Sequence, residues 1–166
     1  PTEYTIEALI KIVPIFISYF VSFLYVSVYW VIHHQLFNIA KIINGQILCA
    51  NLIFLFWLSL IPFTTGWIGE GNHHTDLFPV IIYGFVLLMS HLSFLLLRKS
   101  IVKFHGRTSL VGLNLNKKAT GYLCISIYVI GLSIAIVNVY VAMGCFLLVV
   151  LLKIIELNYS YAENNR

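Results

Sequence analysis

Residues Ala119–Leu152 read ATGYLCISIYVIGLSIAIVNVYVAMGCFLLVVLL, thirty-four consecutive positions without an Asp, Glu, Lys or Arg. As a single helix this run would reach about 50 Å, against a hydrocarbon core of about 30 Å. It is therefore expected to fold back on itself. Asn138 is the one strongly polar residue near its middle, so a tight turn is expected there, between helices over 120–136 and 140–155.

Three more charge-free runs lie upstream, at 12–40, 42–69 and 77–97. Each meets the requirement of about 20 predominantly apolar residues for a spanning helix. The first predicts a helix over 14–43, with Pro14 in its first turn and the Asn44-Gly45 pair as its stop. The second predicts a helix over 47–61 that ends near Pro62, and the third a helix over 77–97 with Pro79 near its start. The expectation is an all-α integral membrane protein with five transmembrane helices in one domain, 1–166, preceded by a connector over 1–13.

Composition agrees. Of 166 residues, 60% are hydrophobic and 10% charged, where globular domains have about 45–50% and about 25%. This excludes a soluble enzyme, a disordered chain and a nucleic-acid-binding domain, so the net charge of +4 is no nucleic-acid footprint. Cys49, Cys124 and Cys145 lie inside apolar runs without CxxC spacing and read as small apolar fillers. There is no Ser/His/Asp set, HExxH or phosphate loop, so no catalytic residue, metal or cofactor is expected.

Charge also orients the spans. With alternating loops, Lys41, Arg98, Lys99, Lys103, Arg107, Lys117, Lys118, Lys153 and Arg166 fall on one side and only Lys11 on the other. This nine-to-one division predicts a cytoplasmic C-terminus and an N-terminus on the far side. Arg98, Lys99, Lys103 and Arg107 are also candidates for contact with anionic lipid head groups. The opposite loop, with Glu70, His73, His74 and Asp76, reads as a solvated loop rather than a divalent-ion site.

Polar residues inside the runs need partners. Trp30 shares a helix face with His33 and His34, and an antiparallel hairpin turning at 43–45 puts both histidines level with Asn51. These four residues form either a hydrogen-bonded hub that positions a neighbouring element or an interfacial Trp/His belt. Adjacent histidines point about 100° apart on a helix, which disfavours a shared metal ion. Ser18, Ser22, Tyr25 and Tyr29 follow helical spacing and read as a helix–helix seam before a water path. Gly131 and Ala135 form a second small-residue seam. His91, inside the third run beside Ser90 and Ser93, is a candidate intramembrane polar site.

Ser22-Phe23, followed by Tyr29-Trp30-Val31-Ile32-His33-His34-Gln35-Leu36-Phe37, resembles the second-helix signature of the endosomal and lysosomal potassium-channel family, transmembrane protein 175 and its prokaryotic relatives. Asn51-Leu52, Ser59-Leu60-Ile61-Pro62-Phe63-Thr64-Thr65, Gly69-Glu70 and Tyr83-Gly84 follow the same pattern in order, over residues 1–100. Ile32 stands where the family commonly has Asn. The resemblance implies a unit of six helices with both ends cytoplasmic, of which this chain carries helices two to six. It also implies a first helix with an Arg-x-x-x-Phe-Ser-Asp motif that lines the potassium pore, so no pore-filter residue is assigned here. It places the Trp30, His33, His34 and Asn51 cluster where that motif docks. Prokaryotic members imply a homotetramer around one central pore in the cell membrane. The leading reading is a potassium-selective channel subunit, with potassium as the permeant ion. The alternative is a non-conducting membrane scaffold or assembly protein. A secondary transporter ranks last, because Pro14, Pro62 and Pro79 sit at predicted span ends.

Overall fold

The computed structural model describes residues 6–40, 42–69, 76–106 and 119–164. Five helices cover nearly all of them: α1 Ile6–Ile39, α2 Gly45–Gly69, α3 Leu77–His105, α4 Ala119–Ala135 and α5 Val139–Asn164. Four contain segments long and apolar enough to cross a bilayer, and α4, with 17 residues, is apolar but shorter. Seventeen residues reach about 26 Å, near the lower limit for a span. The chain is a multi-pass α-helical membrane protein.

Two asparagines set the tight connections. Asn44 Oδ1 accepts from the Ile47 amide at 2.9 Å and caps α2. Asn138 Oδ1 accepts from the amides of Tyr140 and Val141 at 3.0 and 3.2 Å, and the Val137 and Asn138 amides reach back to the Ile134 carbonyl at 2.8 Å each. The Ile134 carbonyl in the last turn of α4 and the Tyr140 and Val141 amides in the first turn of α5 are thus satisfied within the turn itself. The hairpin turns where the sequence predicts it.

Other boundaries differ. Helix α1 begins at Ile6, so the predicted connector is partly helical and Pro14 is passed through. Helix α2 does not stop near Pro62 but continues to Gly69. Proline removes one backbone bond; beyond it, Thr64 Oγ1 donates to the Leu60 and Ile61 carbonyls and Thr65 Oγ1 to the Ile61 carbonyl, at 2.6–3.1 Å. Neither carbonyl is the one that Pro62 leaves without its amide donor, which is that of Leu58; α2 continues past the proline with one backbone bond fewer and with its length packed on α1 and α3. Helix α3 runs eight residues past 97 and ends at Gly106, whose φ of 86° suits glycine after a helix terminus. Lys41, Glu70, His73, His74, Arg107, Lys117, Lys118 and Arg166 lie outside the described residues, as does the side chain of Ser18.

Helix α3 is the centre, packed on α2, α4 and α5, while α1 packs on α2 and α5. The tightest junction is the Phe146 ring of α5. A Cβ on Gly84 of α3 would lie 2.3 Å from this ring, and one on Gly131 of α4 would lie 2.9 Å from it. The ring fills a slot that exists because both positions lack a side chain. The seam anticipated at Gly131 and Ala135 holds, with both residues buried.

Gly84→Ala is expected to lower stability by about 1–3 kcal/mol through overpacking, and Phe146→Leu in the same chain to recover part of it. Gly66→Ala, where an added Cβ meets nothing within 4 Å, should instead stabilise by roughly 0.5–1 kcal/mol. Unfolding midpoints in mixed detergent micelles compare the three.

Candidate functional site

The hairpin of α1 and α2 brings His33 against Asn51. His33 Nε2–H donates to Asn51 Oδ1 at 2.7 Å. Trp30 stacks on the His33 ring, with centroids 5.8 Å apart and planes 23° apart. Phe54 of α2 stacks on it at 5.6 Å and 21°, and Phe37 contacts it at 4.6 Å. The imidazole is therefore held by one polar bond and three rings. His34 lies on an exposed part of α1, and Trp30 is itself 57% exposed. Of the four residues read as one hub, His33, Asn51 and Trp30 come together, while His34 faces outward because consecutive helical side chains diverge by about 100°.

His91 belongs to a separate, fully buried knot. Its Nε2–H donates to the Gly121 carbonyl of α4 at 3.1 Å, and its Nδ1 meets the Tyr29 hydroxyl of α1 at 3.0 Å. A carbonyl only accepts, so Nε2 carries the hydrogen; Nδ1 then accepts from Tyr29, and a neutral imidazole satisfies both bonds. One ring thus ties α1, α3 and α4 together. The Tyr25 hydroxyl donates to the Phe146 carbonyl of α5. Ser22, Tyr25 and Tyr29 are all buried, so their stripe is a seam. The Tyr128 hydroxyl approaches those of Tyr25 and Tyr29 but makes no hydrogen bond of ordinary geometry.

Phe54 joins the two groups. It lies 5.6 Å from His33, 5.9 Å from Tyr29 and 5.5 Å from Phe94, which in turn meets Tyr29 at 5.9 Å. Continuous aromatic packing therefore runs from exposed Trp30 to His91, Tyr128 and Phe146. The Tyr29–His91 bond was not anticipated, although its components were each singled out: spacing along α1 identifies a face, not the helix opposite it.

A second unanticipated pair closes the other end of α5. Lys153, counted with the charges of the cytoplasmic side, is buried and bonded to Glu156 at 2.9 Å. Both fall within the apolar segment Val139–Asn158. Their i, i+3 spacing was the available signal. Among the described residues, no group of three His, Cys, Asp or Glu side chains is placed to hold a metal ion.

If the His33–Asn51 bond contributes as read, a double-mutant cycle with His33→Ala and Asn51→Ala should return a coupling of about 0.5–1.5 kcal/mol. His34→Ala paired with Asn51→Ala should return none. Chemical unfolding of the purified protein supplies the four corners of each cycle.

The model of the family described as endosomal/lysosomal potassium channel TMEM175 matches residues 1–62. A protein named as a potassium channel in Chryseobacterium sp. (strain P1-3) is 40% identical over 156 residues, covering 92% of this chain and 80% of that one. Another so named, in Streptomyces collinus (strain DSM 40733 / Tue 365), is 32% identical over 57 residues, covering 34% of this chain and 28% of that one. No solved structure matches.

Proposed function

The chain belongs to the endosomal/lysosomal potassium channel TMEM175 family, and on that premise we propose that it is a subunit of a potassium-selective channel. The observation that carries this is the 40% identity that extends over 92% of the chain, well past residues 1–62, which the family model matches. The subunits assemble as homotetramers around one central path, with potassium as the permeant ion and no bound cofactor. The bacterial relatives favour a prokaryotic cell membrane.

The C-terminal ends of α3 and α5 share one end of the bundle, where α3 carries exposed Lys99 and Lys103. This supports a cytoplasmic position for that end and for the C-terminus. A cysteine introduced at Ser109 should then resist a membrane-impermeant maleimide added outside intact cells and react after permeabilisation. Efficient labelling from outside would reverse the orientation.

The His33–Asn51 bond beneath Trp30 positions α1 against α2 and acts on opening or assembly, not on ion choice. Ion choice rests with groups that face the pore. Removing the imidazole strips Asn51 of a partner at a cost of about 1 kcal/mol, equivalent to roughly fivefold in an equilibrium. In liposomes loaded with potassium or sodium, His33→Ala should reduce total flux or tetramer yield and leave the ratio of the two fluxes unchanged. His34→Ala should behave as the unaltered protein. A changed ratio would place this face along the ion path, and unchanged flux would remove the hub.

A further inference from the structure

Between the first turns of α2 and the last turns of α3 lies an open cleft of about 390 Å³, walled by Gln46, Cys49, Ala50 and Ile53 on one side and Leu96 and Ser100 on the other. Its lining is mostly apolar, with Gln46 and Ser100 as the polar side chains. The Ser100 hydroxyl donates to the Leu96 carbonyl at 3.0 Å, which leaves mainly its methylene to the cleft. Both helices carry apolar membrane segments, and Cys49, Ile53 and Leu96 on the walls of the cleft are exposed, the chemistry of a surface that meets hydrocarbon. A gap at such a surface is filled by lipid chains, because an empty one forfeits dispersion contacts on every wall.

The charge beyond the cleft selects among lipids. Leu96, Ser100 and Lys103 stand at i, i+4 and i+7 on α3, one helical face. Lys103 therefore sits about 10 Å past Leu96, toward the helix end. Lys99, one turn before it, is exposed as well. The facing stretch of α2 carries no charge at all. Arg98 is half-buried and within electrostatic reach of Glu156 on α5, away from this face. An apolar slot leading to two ammonium groups is the complement of an acyl chain joined to a phosphate.

We propose that the cleft between α2 and α3 binds one acyl chain of an anionic phospholipid, whose phosphate is held by Lys99 and Lys103. A zwitterionic lipid fills the slot but gains less from the lysines. Two juxtamembrane charges, each worth about fivefold, set a preference of about twenty-five-fold for the anionic lipid. The site is independent of whether the protein conducts.

Native mass spectrometry of the full chain in detergent, titrated with phosphatidylglycerol or with phosphatidylcholine of the same acyl chains, tests this. One phosphatidylglycerol per chain should be retained, with about the stated preference. Lys99→Gln together with Lys103→Gln, both at exposed positions, should bring the two lipids to near equality. Cys49→Trp and Leu96→Trp each fill the cleft from an exposed wall position and should weaken both lipids together. Equal retention of the two lipids by the unaltered chain would overturn the proposal. So would tryptophan variants that bind phosphatidylglycerol undiminished, which would reduce the site to headgroup adsorption, or displacement of the lipid by an equal concentration of soluble glycerol phosphate.

Discussion

The Phe146 ring in its two-glycine slot is the contact on which the bundle depends. Helices α3 and α5 approach closely only because Gly84 has no Cβ, and the α4–α5 hairpin closes on the same ring only because Gly131 has none. The Tyr25 hydroxyl then reaches the carbonyl of the same residue from α1. Four of the five helices thus converge on one residue. Lipid tails are as apolar as leucine, so burial alone does not drive helices together in a membrane; close packing and interhelical hydrogen bonds do.

The buried polar residues follow from the same solvent. A group without water must find its partner inside the bundle. His91 uses both ring nitrogens on other helices, and buried Ser90, Ser93, Thr64 and Thr65 return their hydroxyls to nearby carbonyls of their own helices. Lys153 finds Glu156 one turn away. The His33–Asn51 bond differs in that it is only part-buried and stands beneath exposed Trp30.

Helix-forming stretches, their number and the two asparagine turns were legible because they are local. A charge-free run has a length, a bilayer has a thickness, and an Asn side chain caps the turn beside it. The pairing of His33 with Asn51 was legible too, since a short hairpin fixes the register of its two arms. Pro62 was misleading: it removes one bond within α2, while packing on α1 and α3 holds the helix together as far as Gly69, so a stop signal read from the sequence alone fails there. The inward turn of Lys153 toward Glu156 was not legible, because a count of charges records sign and position along the chain, not the direction of a side chain.

By itself, the amino-acid sequence determined the class of the protein, the membrane as its solvent and the family signature, all properties of composition, spacing and local motif. Only the tertiary structure decided that Tyr29 meets His91, that His33 and not His34 holds Asn51, that Phe146 fills the space left by Gly84 and Gly131, and that a cleft leads toward Lys99 and Lys103. Each of these depends on the rotation of one helix about its axis relative to another. A periodic pattern defines a helix face, but the choice of opposing face is made by packing among all five helices at once.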